Sequence, residues 1–232
     1  VITTKSNVFT ISDSALAIGN PTWNGINATM TVTGNQTGCK LQYKIGSGAW
    51  TDIVSGNTAT VQSGTTLYAC LFDGINRKCI SKTPVLTYNI IWASNTGDGT
   101  PIRVPNYNYG TTYQAKPANT FSRVGYTFTG WKCRTNNVVY AAGANFSNLT
   151  TTNGATVYMD AQWKANQYTL TVVTEGEPLH WYNDWNNMAT TMSKSFTYRE
   201  ATRFFTETEA VCYGNTGFYI GGNGFPRKTG YT

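Results

Sequence analysis

Apolar and polar residues alternate, or nearly so, in five short runs of the first 90 positions: 28–33, 40–45, 58–61, 67–72 and 78–88. A period of two sends successive side chains to opposite faces, so each run is predicted to be a half-buried strand. The clusters Gly46-Ser-Gly48, Ser55-Gly-Asn57 and Ser63-Gly64 separate the runs, and such residues supply turns. Short strands at regular spacing with Gly-rich turns predict a β-sandwich over residues 1–88.

Beyond this lies a second segment, 89–165, in which Tyr126, Phe128 and Trp131 sit in a β-rich run punctuated by Gly125 and Gly130. Large aromatics of this kind organise the core of a small domain, and Trp163 ends its last strand. A third segment, 166–232, opens on a convincing strand at 167–173 and then changes character. Trp181, Trp185, Met188, Met192 and Phe196 recur at near-helical spacing, with Asn183 or Asp184 available as a cap. The expected fold class is all-β, with some helix near the C-terminus.

Composition sharpens this picture. Charged residues make up only 12% of the chain, about half the usual share, while 15 Tyr and 7 Trp accompany abundant Thr, Asn and Gly. That mixture suits pleated sheet and its turns. The net charge of +6 reflects a scarcity of acids, 11 in all, and no Lys/Arg run exceeds two residues. Nucleic-acid binding normally requires a clustered basic patch, so no nucleic-acid partner is expected. A mildly basic surface instead favours acidic glycans or anionic envelopes. No apolar run approaches the roughly 20 residues of a membrane span. The chain starts at Val1 without a charged-then-apolar leader and is expected to be a piece of something longer.

The ordered motifs carry two resemblances. Lys40-Leu-Gln-Tyr-Lys-Ile-Gly-Ser-Gly-Ala-Trp-Thr-Asp52, followed by Thr65-Thr-Leu-Tyr-Ala69 and Phe72-Asp-Gly-Ile-Asn76, resembles bacterial immunoglobulin-like modules. Tyr109-Gly-Thr-Thr-Tyr113, then Gly125-Tyr-Thr-Phe-Thr-Gly-Trp131, then the close at Gln162-Trp163 resemble the internalin-type B-repeat, or Listeria–Bacteroides repeat. That family implies a β-grasp-like module used as a spacer or interaction unit in secreted surface proteins. Two departures stand out: Trp92-Ala-Ser-Asn-Thr-Gly97 replaces the family's opening, and Asp160 stands where its closing motif has Tyr. The end of the third segment, from Phe225, echoes Phe121-Ser-Arg-Val-Gly-Tyr-Thr127, as a divergent or truncated further repeat would. These resemblances imply a location outside the cell or on a bacterial surface.

Candidate chemistry is sparse. His180 is the single histidine, so no site built on several imidazoles exists, and no Gly-x-Ser-x-Gly elbow accompanies it. Glu175 and Glu177 are separated by one residue, not set across a cleft. No enzyme, no metal and no cofactor is expected. Five cysteines cannot all pair within one chain, and none forms Cys-x-x-Cys. A two-residue turn at Gly74-Ile75 would place Cys70 opposite Cys79, either as a disulfide or as two reduced thiols. Trp181, Tyr182 and Trp185, interleaved with Asn183, Asn186 and Asn187, offer sugar-binding faces beside amides, although helical spacing favours a core role. Asp160 is also a candidate buried acid for a Lys–Asn crosslink. The function expected from all this is a non-catalytic stalk, adhesin or appendage subunit. The alternatives are a glycan-binding accessory module and a repeating subunit of a filament or phage decoration. Other protein subunits or cell-surface glycans are the expected partners, with a homo-oligomer among the options.

Overall fold

The computed structural model describes residues 16–173, 179–181, 189–197 and 211–213. The protein is all-β: among these residues there is no α-helix, only a 3₁₀ turn at Ala118–Thr120. Two compact units partition the chain, one comprising 1–95, 99–120 and 130–161, the other 96–98, 121–129 and 162–232.

The first unit begins with eight strands: β1 (Leu16–Ile18), β2 (Thr22–Asn24), β3 (Asn27–Gly34), β4 (Lys40–Ile45), β5 (Thr51–Ile53), β6 (Thr58–Gln62), β7 (Leu67–Phe72) and β8 (Arg77–Lys82). They form two four-stranded sheets. In one, β3 pairs with β1, β2 and β6; the other runs in the order β5-β4-β7-β8. Alternation decides what lies between them. Ala28, Met30 and Val32 of β3, with Ala59 and Val61 of β6, face Leu41, Leu67, Ala69 and Leu71 in one buried cluster. Burying each large aliphatic chain of this kind contributes about 1.5–3 kcal/mol. This is a sandwich of two sheets over a shared core.

Residues 78–88 do not form one strand. They divide into β8 and the start of β9 (Thr87–Ala93), with Thr83, Pro84, Val85 and Leu86 between. Proline has no N–H to give to a ladder, so pairing stops before it. Strands β1, β2 and β5 have three residues each, too short to betray a period.

From β9 the chain continues with β10 (Ile102–Asn108), β11 (Tyr113–Gln114), β12 (Tyr126–Cys133), β13 (Val139–Tyr140), β14 (Asn145–Phe146) and β15 (Thr156–Ala165), of which the first half of β12 and the end of β15 fall in the second unit. Their main sheet has the order β10-β9-β15-β12-β13, and β15 runs parallel to β9, with Thr156 opposite Asn89 and Asp160 opposite Ala93. Parallel neighbours need a long crossover, which the strands between them supply. The core here is aromatic. Trp92 and Trp131, neither with any exposed surface, meet edge to face at 5.0 Å, and Phe146 packs on Trp92 at 6.1 Å. Edge strand β10 carries Pro105 and a register shift between Val104 and Tyr107, features that blunt an edge against pairing with another chain.

Strand β12 changes its buried face part-way. Tyr126 and Phe128 are half-buried while Thr127 and Thr129 are exposed; after Gly130, Trp131 and Cys133 are buried and Lys132 is exposed. Trp131 thus has the deep core position expected of the aromatic run. Phe128 belongs to the second unit, where it meets the half-buried Trp163 at 5.7 Å. Also in that unit, the Arg123 guanidinium lies 3.7 Å from the centroid of the Tyr126 ring.

The second unit adds β16 (Gln167–Val173), β17 (Leu179–Trp181), β18 (Thr191–Thr197) and β19 (Val211–Tyr213), paired as β16–β18 and β17–β19. The helix expected near the C-terminus is therefore corrected wherever it is described. Trp181 lies on β17, and Met192 and Phe196 lie on β18, opposite Val172 and Tyr168. The reason is arithmetic. A spacing of four is one helical turn, but it is also even, so it keeps both residues on one face of a strand. Exposed Thr191, Ser193 and Ser195 alternate with them, and Thr171–Ser193 and Thr169–Ser195 hydroxyl pairs, at 2.8 and 3.2 Å, link the two strands.

Burial of Tyr88 leads to a prediction at high pH. Its ring stacks on Tyr107 at 5.7 Å, and its hydroxyl is buried without a well-formed hydrogen bond, the Leu149 backbone offering only a weak contact. Burial pushes its ionisation up to about 12 from an ordinary 10. Between those values the folded chain holds a proton the unfolded chain has lost, so stability falls as pH rises through the window. Tyr88→Phe is expected to be near-neutral in urea melts at pH 7 and to flatten the decline above pH 10. A large loss at pH 7 would show that the hydroxyl has a good partner.

Candidate functional site

The two sheets of the sandwich turn different chemistries to solvent. Outward positions of β2, β3 and β6 are occupied by Thr22, Thr29, Thr31, Thr33, Thr58 and Thr60, uncharged and joined in part by a Thr29–Thr60 hydroxyl pair at 2.8 Å. The other sheet presents cations and aromatic rings. Because Leu41, Tyr43 and Leu67, Ala69, Leu71 point inward, the register places Lys40, Gln42 and Lys44 of β4 beside Phe72, Cys70 and Tyr68 of β7. It then sets Arg77 of β8 opposite Phe72 and Cys79 opposite Cys70.

These side chains form one connected network. Lys40 Nζ donates to Asp52 Oδ2 at 2.9 Å, and Gln42 Nε2 donates to Asp52 Oδ1 at 2.6 Å. Gln42, only 7% exposed, accepts on its other end from Arg77 Nε at 3.0 Å. The Arg77 guanidinium lies 4.0 Å from the Phe72 ring centroid and 5.4 Å from that of Trp50, which immediately precedes β5. Lys44 Nζ lies 5.0 Å from the centroids of both Trp50 and Tyr68. Ring quadrupoles attract cations at these separations. The Gln42 amide and then the Lys40 ammonium hold the Asp52 carboxyl below its usual range. This one acid of the face is thereby committed to neighbours, and positive charge remains in excess.

A covalent clamp lies in the same face. Cys70 and Cys79 are joined in a disulfide across β7 and β8, their Cα atoms 4.1 Å apart. That close approach is typical of a non-hydrogen-bonded antiparallel pair. The turn that sets this register has Gly74 at φ +101°, a conformation open to glycine, followed by Ile75. Backbone N–H groups of Asn76 and Ile75 donate to Asp73 Oδ1 at 2.6 and 2.8 Å, which holds the Asp73 carboxyl below its usual range.

Elsewhere the described residues offer little reactive chemistry. A shallow cleft of about 420 Å³ at the sandwich rim is lined by Cys39, Leu41, Ile53 and Leu71 among others. Burial, aided by the Asp73 charge, pushes the Cys39 thiol up, and a thiol is a weak nucleophile until it ionises. Among the described residues, no three His, Cys, Asp or Glu side chains are grouped to hold a metal ion. Asp160 does not stand as an isolated acid. Both its carboxylate oxygens accept from Arg134, Nε at 2.6 Å and an Nη at 2.9 Å, and Arg134 also lies over the Tyr158 ring. Strand β15 runs intact through this ion pair.

Of the residues singled out in the sequence, Trp181 ends β17 with its backbone opposite Val211, and His180 is opposite Cys212. Tyr182, Trp185, Glu175, Glu177 and the stretch from Phe225 lie outside the described residues. The cation–aromatic face was not anticipated as a site, although one signal for it was visible. Tyr68 and Phe72 share the parity of Cys70, not that of Leu67, Ala69 and Leu71, so one set of these large residues had to face outward. No helix among the described residues is long and apolar enough to cross a membrane. No protein-family model, curated protein or solved structure matches this chain.

Proposed function

We propose that the protein is a non-catalytic module of a bacterial exterior, serving as a stalk, adhesin or appendage subunit. The Cys70–Cys79 disulfide carries this reading, since such bonds persist in oxidising surroundings and are rare in the cytosol. An immunoglobulin-like assignment for the sandwich agrees with its paired sheets. A β-grasp-like B-repeat agrees with a sheet whose first and last long strands run parallel at its middle. The blunted edge at β10 and the cationic edge at β8, with Arg77, Lys78 and Lys82, favour a discrete module over a filament built by adding strands at those edges. Binding to glycans is the second reading, and the connected cation–aromatic face favours it.

Surface labelling of intact producing cells with a membrane-impermeant amine reagent tests the location. The chain is expected to be labelled, and non-reducing peptide mapping of the native protein is expected to recover Cys70 linked to Cys79. Confinement to the cytosol with both thiols free would sink the proposal.

A further inference from the structure

The outward face of the β5-β4-β7-β8 sheet holds more order than a merely solvated surface requires. Lys44 and Arg77 both lie within 5.4 Å of the Trp50 ring centroid, so two cations converge on one indole. Among the described residues no carboxylate lies within ion-pair distance of either cation; Asp52 feels the Arg77 charge but is hydrogen-bonded to Lys40 and Gln42. The Arg77 guanidinium has two neighbours, the Phe72 ring with its centroid 4.0 Å away and the Gln42 acceptor at its Nε. Its terminal N–H groups remain as a planar fork, the geometry that suits a carboxylate. Lys44 keeps its ammonium between Trp50 and Tyr68 with donors to spare. Paired strands and the Cys70–Cys79 bond form the platform, so little conformational freedom is lost when a ligand arrives.

From this arrangement we infer that the face binds a carboxylate-bearing glycan, its acid groups meeting Lys44 and Arg77 and a sugar ring lying against Trp50. The inference rests on the second reading above, that the module binds glycans. Charge and shape select the class together. A neutral sugar leaves both cations without an anion, while a phosphatidylglycerol headgroup or a peptide of Asp and Glu alone supplies anions without a flat apolar ring face for the indole. A carboxylated pyranose supplies both from one residue.

Biolayer interferometry of the full chain tests this against immobilised polygalacturonate, a polymer of carboxylated pyranoses. Dextran serves as a neutral polymer, and vesicles containing phosphatidylglycerol as a polyanion without pyranoses. Polygalacturonate is expected to bind and dextran not to. Lys44→Gln and Arg77→Gln should each weaken binding about tenfold or more, the scale of losing a hydrogen bond to a charged group, and Trp50→Ala should weaken it to a similar extent by removing the ring face. Trp50→Phe, which keeps a ring, should restore most of the loss. Lys132→Gln removes the same charge from an exposed position on β12 and should change the affinity by less than about twofold. The inference is overturned by absence of polygalacturonate binding, or by Lys132→Gln weakening it as much as Lys44→Gln. Equal binding to the vesicles overturns it too, since charge alone would then suffice. Surface labelling reports separately: a labelled chain that ignores polygalacturonate defeats only this inference, whereas a cytosolic chain that binds it defeats only the exterior location.

Discussion

Trp131→Ala is expected to cost about 3–5 kcal/mol of stability, the range for truncating a large buried aromatic. Trp131 has no exposed surface and meets Trp92 edge to face at 5.0 Å. Its Nε1 also donates to the Lys116 carbonyl at 2.8 Å. Truncation therefore opens a cavity beside Trp92 and removes the donor on which the Lys116 carbonyl relies. In a thermal melt followed by tryptophan fluorescence, the midpoint should fall by roughly ten degrees. Trp131→Phe retains a ring but no N–H and should lie between the two. A shift of only a degree or two for Trp131→Ala would mean that the Trp92–Trp131 pair does not anchor this core.

Its neighbour tests the opposite fault. Gly130→Ala is expected to destabilise by about 3 kcal/mol, from overpacking and from backbone strain together. The backbone at Gly130 has φ +152°, and an added Cβ would meet Val139 Cγ1 at 2.8 Å and the Tyr140 carbonyl oxygen at 2.9 Å. The valine methyl can turn aside, whereas the carbonyl belongs to β13, whose Tyr140 is paired with Trp131. The double variant Gly130→Ala/Val139→Ala separates the two contacts. Partial rescue in urea melts is expected, because only the side-chain clash is relieved. Full rescue would place the whole cost on Val139, and a neutral single variant would remove the steric argument altogether.

These neighbouring residues also mark where sequence reasoning succeeded and where it stopped. The aromatic run from Tyr126 to Trp131 was legible as core material, yet only Trp131 is fully buried. Along a strand, Tyr126 and Phe128 share one parity and Trp131 has the other. No single sheet face takes all three, and the strand buries opposite faces before and after Gly130. The spacing of Met192 and Phe196 was equally visible and was read as helical, but four residues apart is compatible with both periods. Intervening Ser193, Lys194 and Ser195, flanked by Thr191 and Thr197, agree with the strand. The cation–aromatic face shows a different limit. Its residues come from Lys40 to Lys44, Trp50 to Asp52, Tyr68 to Phe72, and Arg77, and each segment alone looks like ordinary strand.

By itself the sequence determined the class of the fold and most of the longer strands of the first 90 residues, because alternation, β-branched residues and Gly-rich turns are local properties written over short distances. The Gly74-Ile75 turn placed Cys70 opposite Cys79 for the same reason: a two-residue loop fixes the register of the strands it joins. Only the tertiary structure decided which outward side chains share a face. Lys44 meets Trp50 and Tyr68, and Arg77 reaches Gln42 across 35 residues of sequence, through registers that sheet pairing and core burial impose jointly. The buried face of each strand follows from its own pattern; its neighbours follow from how two sheets close over one core, which no single segment encodes.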